Sequence, residues 1–238
     1  MCINYFIVLC LALSLTEAYD VSFINKCNAG DTKCHKQSTQ QAIPMFAAGI
    51  PELNVESLDP MFIKHIDANS SNMMLVINDA TITGLSKCEA KRIQREPDNS
   101  KLFVRFLCDV ELVGTYEMNG QLFVLPIRGN GPLSAKINKL YIAVDADMGS
   151  EERDGKKYWN LKSYTHSYEL KGTSDVKFEN LFPDNELLRN TANDLIAQNG
   201  NDVVREIGEP VITNAIIKVV KNVEAFFKAV PLDDLALS

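Results

Sequence analysis

The sequence has little of what catalysis and nucleic-acid binding usually require. Its 238 residues include only three histidines, His35, His65 and His166, which lie far apart in the chain. No Gly-x-Ser-x-Gly, His-Glu-x-x-His or glycine-rich phosphate-binding motif occurs. The 31 acidic residues outnumber the 24 basic ones, and the basic residues form no cluster, which disfavours a nucleic-acid partner. We therefore predict a protein that is not an enzyme and has no cofactor or metal site.

Long apolar runs are also scarce. The one predominantly apolar run, Ile3 to Leu15, is too short to cross a bilayer and is followed by a small residue, Ala18. We predict that residues 1–18 are a cleaved secretory signal, with a buried N-terminal helix or a membrane anchor as the alternatives. No later segment approaches the ~20 uncharged apolar residues of a membrane span. Residues 19–238 are therefore expected to form one secreted, extracellular domain without an integral membrane segment.

Cleavage at that point would leave four of the six cysteines, Cys27, Cys34, Cys88 and Cys108. Four cysteines allow three pairings, and in a secreted protein disulfides are favoured over free thiols. Cys27 and Cys34 bound a short loop that closes easily. Cys88 and Cys108 lie symmetrically about the turn residues 96–100, so a hairpin there would place them opposite each other. We predict the pairs Cys27–Cys34 and Cys88–Cys108.

A single Asn-x-Ser/Thr sequon occurs, at Asn69-Ser70-Ser71. If the chain is secreted, Asn69 is a candidate glycosylation site. An unoccupied sequon is the equally weighted alternative.

The C-terminal region, Asp184 to Val230, has apolar residues at the spacing of an amphipathic helix. Unbroken, 47 residues would extend roughly 70 Å, far beyond a typical globular helix. The glycines and proline at 199–201 and 208–210 predict a bend at one or both places. The apolar stripe and its flanking row are Leu188, Leu195, Ile196, Val203, Val204, Ile207, Val211, Ile212, Ala215, Ile216, Val219, Val220, Val223, Phe226, Phe227 and Val230.

Before this helix the pattern is mostly that of strands. A helix is predicted first, from Thr32 to about Ala48 with a kink at Pro44, and Asn119-Gly120 predicts a hairpin. The strands have one apolar face, and the long helix has an apolar stripe. A strongly curved antiparallel sheet that wraps around the helix would bury both, so we predict an α+β fold of this kind. The predicted strands are Phe62–Asp67, Met73–Leu85, Leu102–Tyr116, Gln121–Ile127, Leu133–Asp147, Tyr158–Leu170 and Asp175–Phe178, with a loop at 128–132.

Several short segments, in this order and spacing, carry a resemblance to a known family. They are Lys26-Cys27 to Cys34, Gln41 to Pro44, Gly49 to Pro51, Leu58 to Pro60, Thr83 to Leu85, Leu125 to Gly131, Asn180 to Phe182, and Glu209 to Pro231. With these segments the chain resembles the insect takeout and juvenile hormone-binding protein family over nearly all of residues 19–238. The resemblance implies a tubular lipid-binding-like roll, in which the curved sheet and the long helix enclose an apolar tunnel. It also implies a secreted carrier of hydrophobic small molecules.

One departure concerns the second disulfide. The family's shared disulfide matches Cys27 and Cys34, but the second pair of the hormone-binding members lies nearer the C-terminus than Cys88 and Cys108 do. The resemblance therefore favours the takeout-like branch over juvenile hormone specificity.

A site for a lipophilic molecule is concave and apolar, with a few polar groups that orient the ligand. Plain core packing is the alternative role of each candidate, because periodicity shows which face is buried and not whether space remains there. The candidate ligand-binding residues are Met45, Phe46, Met74, Val76, Phe106, Val110, Leu125, Tyr141, Trp159, Tyr164, Leu195, Ile216, Val220 and Phe226.

The predicted function is that of a non-enzymatic carrier of a terpenoid hormone, an odorant or a fatty acyl compound. A protein that acts at a lipid surface or on a receptor is the second hypothesis, and a secreted esterase is the third. The acidic balance disfavours binding to anionic membranes, which attract basic segments. The missing nucleophile motif disfavours the esterase.

Overall fold

A computed structural model describes residues 21–237. The predicted signal at 1–18 lies outside the described residues. The helices are α1 (Thr32–Ala48), α2 (Glu186–Gln198), α3 (Gly200–Ile207), α4 (Glu209–Ala229) and α5 (Leu232–Leu235), with short 3₁₀ turns at Pro51–Leu53 and Leu85–Lys87. The strands are β1 (Met61–Asp67), β2 (Met73–Thr83), β3 (Glu89–Arg95), β4 (Lys101–Leu122), β5 (Leu125–Arg153), β6 (Lys156–Leu170) and β7 (Ser174–Phe178).

The seven strands form one antiparallel sheet in the order β1-β2-β4-β5-β6. β3 pairs with the first part of β4, and β7 pairs with the middle of β5. β5 has 29 residues and would measure about 95 Å if it were straight. Register shifts at Cys108–Val110 and at Asp147–Met148 bend the long strands, as bulges do.

The sheet wraps around α4, as predicted. β1 and β6, the first and last strands of this order, both pack against α4, although they do not pair with each other. The sheet is therefore curled around the helix and not closed into a barrel. α2 and α3 pack against β7, and α1 packs against β3 at the other end of the molecule.

The C-terminal helix is divided into α2, α3 and α4, at both of the predicted weak points. Asn199 ends α2 and its side chain donates to the Leu195 carbonyl over 2.8 Å. Gly208 separates α3 from α4, and Pro210 occupies the first turn of α4, where its missing N–H breaks no helical hydrogen bond. The buried apolar residues of α2 are Ala192 and Ile196, whereas Leu187 and Leu188, at its start, are exposed although Leu188 belongs to the predicted stripe.

The predicted hairpin is present between β4 and β5, but its turn does not lie at Asn119-Gly120. β4 continues through these residues to Leu122, the turn lies at 123–124, and the predicted loop at 128–132 belongs to β5. Gly120 serves close packing instead, because a Cβ on it would lie 2.3 Å from the Asn72 carbonyl oxygen. The turn needs a left-handed residue, and Phe123 takes that conformation with φ 56°.

The N-terminal helix α1 has the predicted bounds. The Asp31 side chain accepts a hydrogen bond from the Cys34 amide over 3.0 Å and so caps the first turn. The helix continues through Pro44, so the expected kink does not divide it, and it ends before Gly49.

Tyr116 joins β4 to the segment that follows β7. Its hydroxyl donates to the Glu179 carbonyl over 2.6 Å, and its ring meets that of Phe178 edge-on at 4.8 Å. Burial of the hydroxyl and the negative charge of Glu179 raise the pKa of Tyr116 to about 12. The native state therefore binds this proton more tightly than the unfolded chain, whose tyrosine pKa is about 10.

We expect this tyrosine to contribute to a loss of stability at alkaline pH. Its stabilising effect is complete below pH ~10 and is lost as the pH rises through about 12, by on the order of 2 kcal/mol. Tyr116→Phe should cost ~1 kcal/mol at pH 7, the net value of a hydrogen bond, and should lose less stability than wild type above pH ~10. Urea unfolding across this pH range, with Tyr141→Phe as the control, measures both effects. Parallel pH profiles of wild type and Tyr116→Phe would contradict the assignment.

Candidate ligand-binding site

An apolar cavity of about 440 Å³ lies between the concave face of the sheet and the C-terminal helices. One end is formed by α3 and β7, through Val203, Ile207 and Val176, and the other by α1 and the end of α5, through Phe46 and Leu235. This volume is in the range of small-molecule sites, ~300–1,000 Å³. The interior is therefore not completely filled by the protein's own side chains.

The strands supply the cavity wall by alternation. On the first half of β4 every second residue lines the cavity, and these residues form the apolar face of the strand: Leu102, Val104, Phe106, Cys108, Val110 and Leu112. On β5 the lining residues change from odd to even numbers between Ile137 and Leu140, because Lys139 takes a left-handed conformation with φ 52°. The bulge keeps both halves of a long strand directed inward.

α4 supplies the opposite wall. Its lining residues follow the predicted helical stripe: Val211, Ile212, Ala215, Ile216, Val219, Val220, Val223, Phe226 and Phe227. Two rows of this helix therefore face the cavity, while its edges contact β1 and β6.

One end of the cavity is polar, and we call it the polar end, formed by Asn25, His35, Ser38, Arg95 and Asn99. Arg95 is 5% exposed. Its guanidinium lies 5.8 Å from the centre of the Trp159 ring. Burial lowers the pKa of Arg95 from its ordinary value. Burial also lowers the pKa of His35, the positive charge of Arg95 lowers it further, and Asp31 opposes these effects.

The structure brings half of the candidate residues to the cavity. At the polar end, the Trp159 ring lies beside Arg95, and the Phe226 ring packs against that of Phe46. The remaining candidates in the cavity wall lie on β4 and α4. The candidates that line the cavity are Phe46, Phe106, Val110, Trp159, Ile216, Val220 and Phe226.

The other half lie elsewhere and do not line this cavity. Met74 and Val76 point to the opposite face of β2 from Leu75 and Ile77, since adjacent strand residues alternate. The Tyr141 ring lies under the Lys171 ammonium, 4.1 Å away, on the outer face of β5. Tyr164 and Leu195 are partly buried away from the cavity, and Met45 and Leu125 are exposed.

Sequence reasoning missed the polar end. Arg95 stands in a charged segment, Lys91 to Arg95, that is typical of an exposed strand. The available signal was its alternation with Ile93, which is buried on the same face of β3. No sequence pattern connects His35 on α1 to this strand.

Both predicted disulfides are present, with Cα–Cα distances of 5.7 Å for Cys27–Cys34 and 4.3 Å for Cys88–Cys108. Cys88 and Cys108 also line the cavity. Asn69 is exposed, and its side-chain oxygen accepts the Leu75 amide over 2.8 Å, which leaves its side-chain nitrogen available. Its glycosylation stays a prediction.

Within residues 21–237, no cluster of histidine, cysteine, aspartate and glutamate side chains could hold a metal ion. Over the same residues, none of the helices combines the length and the apolar character that a membrane span needs. His65 and His166 lie on different strands, and their rings contact Asn78 and Thr213 respectively.

A curved sheet wrapped around a helix, with an apolar cavity between them, defines the takeout class of fold. The chain superposes on the crystal structure of Epiphyas postvittana Takeout 1 with a TM-score of 0.86 and 27% identity, over 90% of this chain and all of that one. Residues 6–237 match the family model described as Haemolymph juvenile hormone binding protein (JHBP). The chain belongs to this family.

Two curated relatives are similar in sequence. "Circadian clock-controlled protein daywake" of Drosophila melanogaster is 27% identical over 182 residues, 71% of this chain and 70% of the relative. "Putative beta-carotene-binding protein" of Schistocerca gregaria is 24% identical over 152 residues, 62% of this chain and 60% of the relative.

Proposed function

We propose that this protein is a secreted, non-catalytic carrier that encloses one lipophilic small molecule in the cavity between the sheet and α4. The observation that carries the proposal is the cavity itself, about 440 Å³ of space lined almost entirely by aliphatic and aromatic side chains. The family description and the name of the Schistocerca relative, which both refer to lipophilic ligands, support it.

The energetics of burial suit a carrier. Removing apolar surface from water yields about 25 cal/mol per Å². A ligand with ~300 Å² of apolar surface would therefore gain about 7 kcal/mol before the entropic costs of association. No chemical step on the ligand is required. The ligand class that we propose is a terpenoid, an odorant or a fatty acyl compound.

A variant that fills the cavity tests the proposal. Ala215 lies on α4 with its side chain at the cavity wall, so Ala215→Trp should occupy the space that the ligand needs. We expect wild type to bind a fluorescent fatty-acid probe that lipophilic competitors displace, and Ala215→Trp to bind it at least tenfold more weakly. Ala229→Trp, exposed at the end of the same helix, is the matched control and should bind like wild type.

Two outcomes would count against a carrier. One is the absence of saturable probe binding by wild type across a broad lipophilic panel. The other is co-sedimentation with liposomes without uptake of any small molecule, which would favour a protein that acts at lipid surfaces.

A further inference from the structure

The polar end of the cavity contains a buried cation whose described partners are all neutral. The Arg95 guanidinium donates from Nη2 to the carbonyls of Cys27, over 2.9 Å, and of Leu237, over 3.2 Å. Its Nη1 donates to the side-chain oxygen of Asn99. Within residues 21–237 it forms no ion pair with a carboxylate. Burying a charge without a counter-charge is unfavourable, and neutral hydrogen bonds compensate for it only in part.

Two polar atoms at this end have no hydrogen-bond partner among the described residues. They are Nε of Arg95 and Nδ1 of His35, and both atoms are buried. Both residues line the cavity. Buried polar atoms in proteins are nearly always paired, so an unpaired donor at the wall of a cavity indicates a place for an acceptor from a ligand.

The three bonds that Arg95 does make fix its position. They connect the end of β3 to the Cys27–Cys34 loop, to the turn at Asn99 and to Leu237, which follows α5. The Trp159 ring lies beside the guanidinium and is itself part of the cavity wall. A purely structural role accounts for these three bonds but leaves the Nε–H donor unused.

We infer that the polar end is a head-group subsite for a carboxylate, and that the preferred ligand is a long-chain carboxylic acid bound as its anion. The carboxylate accepts the Arg95 Nε–H and supplies the missing negative charge, while the His35 ring lies beside it. The hydrocarbon chain extends along α4 towards Val203 and Ile207, where the lining is apolar. This inference rests on the proposed function, since it assigns the ligand class of the same cavity.

The first test compares ligands of equal chain length on the wild-type protein. Palmitate and its neutral methyl ester differ in the charge of the head group, and each is titrated as a competitor of a fluorescent lipid probe. We expect palmitate to bind at least tenfold more tightly than methyl palmitate. Arg95→Met should abolish that preference by weakening palmitate, while methyl palmitate changes less than threefold. Ile207→Ala, at the apolar end, should weaken both ligands by the same factor.

A second test needs no variant. Palmitate labelled with ¹³C at the carboxyl carbon reports its own ionisation by NMR while it is bound to wild type. An apolar cavity alone would raise the pKa of the bound carboxyl group, whereas a neighbouring guanidinium lowers it. We expect the bound carboxylate to remain ionised at a pH at which free palmitate in solution is protonated.

The outcomes separate the inference from the proposed function. If methyl palmitate binds as tightly as palmitate and the pKa of the bound carboxyl group is raised, the subsite is wrong but the carrier stands. If neither lipid binds but other members of the lipophilic panel do, the subsite is wrong and the carrier stands. If nothing in the panel binds, the proposed function fails. If Arg95→Met does not fold, the comparison of the two ligands on wild type and the NMR titration test the carboxylate subsite without it.

Discussion

Replacing Gly200 with alanine is expected to destabilise the protein by about 3 kcal/mol, the upper part of the usual range for overpacking. Gly200 is buried at the start of α3, where the helix crosses the first residue of β7. A Cβ built on Gly200 would lie 1.9 Å from the Ser174 carbonyl oxygen and 2.8 Å from its carbonyl carbon. Both atoms belong to backbone that is held in the sheet, so the contact cannot be relieved by a side-chain rotation.

Whether Gly200→Ala lowers or raises the free energy of unfolding distinguishes the effect of packing from that of helix propensity. Alanine is the better helix former by about 1 kcal/mol, so without the contact the substitution would stabilise α3. Urea unfolding of Gly200→Ala measures the result, and Gln198→Ala, on the exposed end of α2, is the control that should change stability by less than ~0.5 kcal/mol. A neutral or stabilised Gly200→Ala would show that α3 does not approach β7 as closely as described.

Removing the disulfide between Cys88 and Cys108 should cost a similar amount. The chain-entropy relation gives about 3 kcal/mol for a loop of this length, with 20 residues of sequence separation. The bond ties the start of β3 to the middle of β4. The Gln40 side chain docks α1 on the same place, where it donates to the Cys88 carbonyl over 3.1 Å and accepts the Ala90 amide over 2.8 Å.

The double variant Cys88→Ala/Cys108→Ala tests this, because alanine places no polar group in the cavity wall. Thermal and urea unfolding should show the loss, and Cys27→Ala/Cys34→Ala, which opens a loop with a separation of only 7 residues, should lose about 2.5 kcal/mol. A cost below ~1 kcal/mol for the Cys88/Cys108 variant would mean that β3 is held to β4 mainly by its strand pairing.

Local patterns predicted the elements well where one face of a strand or helix is buried. The alternation on β4 and the helical stripe on α4 identified the residues that face the cavity. The positions of the two disulfides followed from a short loop and a symmetric hairpin, and both are confirmed. The same reasoning misplaced the turn at Asn119-Gly120. Glycine is required there because the Asn72 backbone packs closely against it, and not because the chain turns.

The candidate site was harder to predict for a physical reason. Period-two alternation divides the residues of a strand between two faces but does not say which face is turned to the cavity. Both faces of β2 carry apolar residues, and Met74 and Val76 lie on the face opposite to the lining residues Leu75 and Ile77. A bulge such as the one at Lys139 shifts the alternation by one residue, so that odd-numbered residues face the cavity before it and even-numbered residues face it after it. Bulges arise from pairing with neighbouring strands, which a local pattern does not contain.

The sequence by itself determined the α+β class, the antiparallel strands, the helix with its two interruptions and the paired cysteines, because each depends on neighbours within a few tens of residues. Only the tertiary structure decided that space remains between the sheet and α4 and that His35, Arg95 and Trp159 meet at one end of it. These residues come from α1, β3 and β6. Their meeting depends on how far the sheet curls, a property of all its strands together.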